Sequence, residues 1–309
     1  MKKEEANHYK FSSISDAHKY FGLPKPKHPL ISLIRGSHHD AYSIDGHHSH
    51  VLAFYKIAFK SKLDGSLRYG QGHYDFDEGG LLFASPNQII GHNNQKGFTT
   101  EEMCGCTLLI HPDFLLNYPI AKKIKQYGFF SYAVNETLHL SESEKETILG
   151  IFRMIEEELN SRIDDFSHDV VIAQIELLFN YANRFYKRQF ITRQAVSNNL
   201  LQKLEDYLND YFSQDTGLHQ GLPSVQHLAE HVNLTPSYLS DMLRSLIGSN
   251  AQQYIHNKLI EKAKETLSTT SLTVSEVAYQ LGFEHSQSFS KLFKSKTNLS
   301  PLEFRRSFN

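Results

Sequence analysis

SVQHLAEHVNLTPSYLSDMLRSLIG (224–248) and TVSEVAYQLGFEHSQSFSKLFKSKTN (273–298) are two versions of one pattern. At an offset of 49, Val225, Leu228, Ala229, Val232 and Leu234 match Val274, Val277, Ala278, Leu281 and Phe283. One residue is inserted in the second copy's turn. At an offset of 50, Leu239, Ser240, Met242, Leu243 and Arg244 then match Phe289, Ser290, Leu292, Phe293 and Lys294. The spacing predicts a short helix, a turn at Asn233 or Gly282, and a second helix in each copy, which is helix-turn-helix geometry.

The second helix of each copy has two faces. Leu239, Met242, Leu243 and Leu246 recur at i, i+3, i+4 and i+7, as a buried stripe must. Phe289, Leu292 and Phe293 repeat it. The opposite stripe carries Ser237, Ser240, Asp241 and Arg244 in the first copy, and Gln287, Ser290, Lys291 and Lys294 in the second. Such side chains fit base edges and phosphates of a major groove, whereas a single stripe of this kind is more often a solvated face. The duplication favours double-stranded DNA as the partner.

The flanking sequence supports the same layout. A helix over about 250–267, with Tyr254, Ile255, Leu259 and Ala263 on one face, separates the copies as a rigid spacer. Two recognition helices roughly 34 Å apart would enter successive major grooves. After the second copy, Ser300, Pro301 and Glu303 predict another helix start, whose free N–H groups are expected to meet a phosphate. The stretch 283–308 carries Lys291, Lys294, Lys296, Arg305 and Arg306 against Glu284 and Glu303. Residues 197–309 nevertheless hold 10 Lys+Arg and 11 Asp+Glu, and the whole chain is at −2, so attraction to DNA is local.

A length of 309 residues suggests two domains. No apolar run approaches a membrane span, and the first residues lack the apolar segment of a signal peptide, so a cytoplasmic protein is expected. Cys104 and Cys106 have neither zinc-ribbon nor redox spacing and read as free thiols of a reducing compartment.

From about 30 to 112 the chain reads as β-rich, with HVLAFYKIAFKS and EEMCGCTLLIH as strands between Gly- and Asp-rich turns. From 141 onward it reads as helical. Ser141 and Glu144 form a capping box for a helix over 142–160, and a second helix covers 168–187. The second helix carries Ile172, Leu177 and Phe179 outside its main apolar stripe, which suggests a dimer interface. The fold class expected is therefore α+β in two domains: a β-barrel with a helical hairpin over 1–190, a polar linker over 191–199, and an all-α domain over 200–309 with two helix-turn-helix units joined by a long helix.

VAYQLGFEHSQSFSKLFKSKTNLSPLEFRR (277–306) resembles the signature of the AraC/XylS family of bacterial transcription regulators, and the likeness extends over 198–309. The resemblance implies a seven-helix DNA-binding domain. It implies base-reading positions at Ser237, Ser240 and Asp241, and at Ser286, Gln287 and Lys291, with Arg244, Lys294 and Arg305 beside them. Asp241 stands where a basic residue is common, Ser288 replaces an aromatic, and Asn298 replaces a Gly. Regulators of this architecture commonly bind a small-molecule effector in the barrel; a homodimer and contact with RNA polymerase are the other expected partners, and activator against repressor is left open.

The β-rich half is similar to cupin-like sensor domains. GHHSH (46–50) and GLLFASPNQIIGH (80–92) fall where such motifs would, which offers His48, His50 and His92 as metal ligands. The acidic ligand expected after the first motif is absent, since Phe54, Tyr55 and Lys56 stand there. No metal, no cofactor and no catalytic residue are expected. The alternatives from the sequence are a cupin metalloenzyme with an appended DNA module, and a helical repeat that binds protein.

Overall fold

The structure, a computed structural model, describes residues 9–36, 49–61, 79–91, 105–133, 136–161, 166–192, 194–214 and 216–308. The chain divides into two compact units, Met1–Gln189 and Phe190–Asn309.

The first unit is built on two sheets. Strands β1 (Tyr9–Phe11), β3 (Ser49–Leu52) and β6 (Ile89–Gly91) form a three-stranded sheet in the order β1-β3-β6. Strands β2 (Ile31–Arg35), β4 (Tyr55–Lys60), β5 (Gly80–Ala84), β7 (Gly105–Ile110) and β8 (Leu138–His139) form a five-stranded antiparallel sheet in the order β2-β7-β4-β5-β8. Central β4 places Ile57 between Phe83 of β5 and Leu108 of β7, and the Ile57 side chain is fully buried. Among the described residues β2 and β8 are sheet edges, so no closed barrel is formed by them. Strand β1 and helix α1 (Ile14–Tyr20) lie outside the stretch expected to be β-rich. Phe11, Ile14 and Ala17 pack there with Leu52, Phe54 and Leu109.

One-turn α2 (Ile120–Lys123) lies between β7 and β8, and α3 (Glu142–Asn160) and α4 (Ser167–Thr192) follow β8. The Ser141/Glu144 capping box that opens α3 is present. Glu144 also receives Arg188 of α4, whose Nε lies 3.0 Å from its Oε1, and Arg188 Nη2 donates to the His139 carbonyl at 2.8 Å. Gln189, 1% exposed, accepts from His139 N and donates to the Thr137 carbonyl. These polar contacts fix α4 against α3 and β8.

Two expectations change. Ile172 and Phe179 are buried within the chain, Phe179 at 0% exposure, so only Leu177 of the three supports an interface between copies. A helix enclosed on several sides shows apolar residues outside one stripe without needing a partner. The stretch 191–199 is helical on both sides of residue 193, as the end of α4 and the start of α5 (Gln194–Ser213). It holds no Pro or Gly to break a helix. His48, His92 and Cys104 lie outside the described residues. His50 lies with its ring edge-on to Phe11 and Phe21, and no cluster of metal-binding side chains occurs among the described residues. Cys106 is a buried free thiol, and burial raises its pKa.

The second unit is helical. After α5 come one-turn α6 (Gly217–Gln220), α7 (Val225–His231), α8 (Pro236–Ile247), α9 (Ala251–Thr269), α10 (Val274–Gln280), α11 (Ser286–Thr297) and α12 (Pro301–Arg306). With α6 set aside as a single turn, seven helices remain among the described residues. Leu228, Leu239, Leu243, Ile255, Leu259, Val277, Phe289 and Phe293 are each 1% exposed or less and form the core. No helix among the described residues is long and apolar enough to cross a membrane.

Candidate nucleic-acid interface

The two repeats fold alike down to their backbone. Ser224 caps α7 by accepting from His227 N, and Thr273 caps α10 by accepting from Glu276 N. The turns contain Asn233 at φ 56° and Gly282 at φ 93°, both left-handed. The second helices end on Gly248 at φ 72° and Asn298 at φ 62°, again left-handed. Asn is the side chain that tolerates this region best, which explains how Asn298 replaces a glycine. Spacer helix α9 opens on an Asn250/Gln253 capping box and buries Tyr254, Ile255, Leu259 and Ala263 as expected. Lys258 on its side bridges Glu205 of α5 at 2.6 Å and Glu261 at 3.1 Å; the hydrogen bond it donates to Glu205 is the main reason its pKa is raised.

The exposed faces of α8 and α11 differ. On α11, Gln287, Lys291 and Lys294 are exposed at i, i+4 and i+7, and their side chains make no hydrogen bond among the described residues. Ser286 is half-buried, as is Ser290, whose hydroxyl donates to the Ser286 carbonyl at 3.0 Å. Ser288, which the stripe left out, is exposed beside Gln287. Helical spacing alone admits it, because i+1 lies on the margin of the same face. On the matching stripe of α8, Ser237, Ser240 and Asp241 are half-buried and, of these four positions, Arg244 alone is exposed. Arg244 Nη1 lies 2.5 Å from Asp241 Oδ1, so the one cation of this face is paired with its one acid. The first unit thus offers a nearly neutral surface and the second a cationic one.

Two features at α12 depart from expectation. The helix start is filled by its own side chains: Ser300 Oγ accepts from Glu303 N at 3.2 Å, and the Glu303 carboxylate accepts from Ser300 N at 2.7 Å. The bond from Ser300 N, with smaller contributions from Lys294 and Arg306, holds the Glu303 pKa below its ordinary value. A carboxylate already at the helix start repels phosphate there. Arg305 turns inward. Its Nε donates to the Leu267 carbonyl of α9 at 3.1 Å, and its Nη2 is buried without a hydrogen-bond partner. Arg306 is exposed and is the cation that remains for solvent or phosphate. The difference between the two arginines depends on how α12 docks on α9, which no local pattern specifies.

Residues 228–307 match a family described as a helix-turn-helix domain. The chain is 23% identical over 270 residues to an uncharacterized HTH-type transcriptional regulator of Bacillus subtilis, covering 83% of this chain and 78% of that protein. It is 33% identical over 123 residues to the arabinose operon regulatory protein of Salmonella typhimurium, covering 37% of this chain and 42% of that protein. Among solved structures, the C-terminal domain of a two-component response regulator from Fusobacterium nucleatum aligns at 31% identity, over 33% of this chain and 96% of that one, with a TM-score of 0.28. The matched relatives and the matched domain are those of transcription regulators rather than enzymes. The C-terminal unit thus carries an AraC-type helix-turn-helix domain, and the relatives that the chain matches are transcription regulators.

Proposed function

We propose that this regulator binds specific duplex DNA through both α8 and α11, with α11 supplying most of the base reading and most of the electrostatic grip. The observation that carries the reading is the contrast between the matched stripes. Gln287, Lys291 and Lys294 stand exposed with no side-chain hydrogen bond among the described residues, whereas Asp241 and Arg244 satisfy each other on half-buried α8. Gln287 lies in the first turn of α11, the part of a recognition helix that meets base edges, and its amide suits adenine. Lys291, one turn later, suits guanine. Lys294 and Arg306 suit phosphate. Ser237, Ser240 and Asp241 contribute chiefly by fit, and Asp241 is suited to a cytosine amino group.

The N-terminal unit is the proposed sensor and dimerisation unit, in a cytoplasmic homodimer that answers a small molecule and contacts RNA polymerase. The sheets, with likeness to cupin motifs around 46–50 and 80–92, support a sensor fold. Leu177 and Val170, 40% and 39% exposed on α4, support a contact between copies. The test is fluorescence anisotropy of the full chain with a duplex from upstream of its own gene and with a scrambled duplex. Preference for the first at physiological salt is expected. Equal affinity for both overturns sequence-specific binding. Sedimentation of the 1–190 fragment at micromolar concentration tests the dimer, and a monomer there overturns it.

A further inference from the structure

Tyr238 of α8 and Ser288 of α11 occupy the same position in the two repeats, at the offset of 50. Their surroundings differ. Ser288 is exposed, whereas Tyr238 is only 3% exposed. The Tyr238 ring meets the Phe190 ring edge-on, with centroids 5.0 Å apart and planes at 79°. Phe190 lies in the last turn of α4 and is itself 4% exposed. Both residues belong to the second unit.

The covering of α8 is one-sided. Around the helix axis the order is Ser240, Arg244, Ser237, Asp241 and Tyr238. Ser240 and Arg244 have the same exposure as their matches Ser290 and Lys294. Ser237, Asp241 and Tyr238 are half-buried or buried, where their matches Gln287, Lys291 and Ser288 are exposed. The difference between the two recognition faces is thus confined to the flank on which Phe190 packs. The duplication serves as an internal control, because the same helix-turn-helix backbone leaves this flank open in the second copy. Phe190 also follows directly on Arg188 and Gln189 in one continuous helix. Arg188 is tied to Glu144 and the His139 carbonyl, and Gln189 to His139 N and the Thr137 carbonyl. A rigid helix shifted at those anchors carries Phe190 with it.

We propose that the end of α4 is an autoinhibitory clasp on α8. With Phe190 seated on Tyr238, one flank of the first recognition helix is covered and held back from a duplex. With Phe190 withdrawn, that flank opens as it does on α11. The proposal rests on the reading that both helices enter DNA, and adds the condition under which the first of them does so. A clasp that keeps most molecules closed lowers the apparent affinity for DNA by the fraction that is open. An edge-to-face aromatic pair adds only a modest attraction to the burial of its rings, so DNA binding can reverse it.

The chain contains no tryptophan, so Phe190→Trp in the full chain gives a single indole emission that reports on the clasp. That emission is expected to move to longer wavelength on saturation with the duplex from upstream of the protein's own gene. Emission unmoved at saturation overturns the clasp. Phe190→Ala and Tyr238→Ser break the contact from its two sides, the second by installing the residue that the other repeat carries. Each should bind the upstream duplex on the order of tenfold more tightly in anisotropy, as it would if about one wild-type molecule in ten is open. Circular dichroism melting checks that both are folded. If Phe190→Ala melts early, Phe190→Leu, which keeps apolar bulk without a ring, takes its place with a smaller gain expected. Affinity unchanged or lowered in the folded variants overturns the clasp. Arg244→Ala, made in the wild type and in the Phe190 variant, separates this proposal from the reading it rests on. A larger loss in the Phe190 variant supports the clasp. An equal loss in both, with no gain from the Phe190 change, overturns the clasp and leaves the two-helix reading intact. Tighter binding by both contact variants, with Arg244→Ala silent in each background, supports the inhibitory contact and overturns only the use of α8 on DNA.

Discussion

Gly282, in the turn of the second helix-turn-helix unit, lies so close to Gly221 that a methyl group on it would sit 2.2 Å from the Gly221 carbonyl oxygen. The same methyl would meet the Gly221 carbonyl carbon at 2.4 Å and Leu222 N at 2.9 Å. All three are backbone atoms, and Tyr211 holds that backbone by donating its hydroxyl to the Gly221 oxygen at 2.8 Å. The second unit's turn is thereby seated on the loop that precedes the first unit. Gly282 also has φ 93°, which L side chains rarely adopt.

Gly282→Ala therefore combines backbone strain with a clash that no side-chain movement can relieve. A loss of about 3 kcal/mol or more is expected in urea denaturation of the full chain. At the equivalent turn, Asn233 already tolerates φ 56°, and Asn233→Ala should cost only about 1–2 kcal/mol. A Gly282→Ala variant as stable as Asn233→Ala would show that the close approach to Gly221 does not constrain the domain.

Acid should weaken the C-terminal unit through its capping boxes. Glu276 and Glu303 each accept from the backbone N–H of their own cap residue, Thr273 at 2.6 Å and Ser300 at 2.7 Å. Those bonds lower both pKa values from the ordinary 4.5. A lowered folded pKa means that the stabilisation is present above the unfolded value and is lost as pH falls through the folded one. In the double variant Glu276→Gln and Glu303→Gln, an amide oxygen can still accept but nothing titrates. Urea midpoints measured from pH 7 downward should converge below pH 4.5, because only the wild type loses the contribution. Parallel curves for the two proteins would exclude the caps as an acid-sensitive element.

How much of this was readable in advance depended on whether a feature was local. The caps at Ser141 and Ser300, the stripes Leu239–Met242–Leu243 and Phe289–Phe293, and the turns at Asn233 and Gly282 all involve residues within one helical turn or one tight turn. Their consequences could be read from spacing, and the duplication supplied the stripes and the turns twice. The missed features depend on distant partners. Strand β1 is three residues long and pairs in parallel with β3 some forty residues away, too short to show a period. Phe179 reads as surplus apolar surface until Phe129, Phe130 and Tyr127 are brought around it. Arg305 reads as a free cation until α12 docks on α9 and offers it the Leu267 carbonyl.

Adjacent Arg305 and Arg306 should accordingly behave differently. Arg305→Ala removes a hydrogen bond to a carbonyl of the core helix and should cost about 1–2 kcal/mol of stability. Arg306→Ala touches an exposed cation and should leave stability within about 0.5 kcal/mol while lowering DNA affinity for all sequences alike. Denaturation and anisotropy on both variants check the division. The reverse assignment, with Arg306→Ala unstable and Arg305→Ala defective only in DNA binding, would mean that α12 presents its other side to solvent.

The α11 face should divide its work along the helix axis. Gln287 and Lys291 stand in the first two turns, where a recognition helix comes nearest to base edges, and Lys294 stands near its end. Each of Gln287→Ala and Lys291→Ala should cost about 1–3 kcal/mol on the cognate duplex and relax the preference at one base position. Lys294→Ala should weaken cognate and scrambled duplexes equally and reduce the salt slope by roughly 1, because one phosphate contact is lost. Nearby Glu303 tempers that cation, so Glu303→Gln should raise affinity for both duplexes at low salt and lose the effect as salt screens it. On α8, Arg244→Ala should change the slope less than Lys294→Ala does, because Asp241 already neutralises Arg244. The measurement is anisotropy of each variant on both duplexes across a salt series. Equal losses on cognate and scrambled DNA for Gln287→Ala and Lys291→Ala would reduce the face to an electrostatic role, and base reading would then have to come from α8.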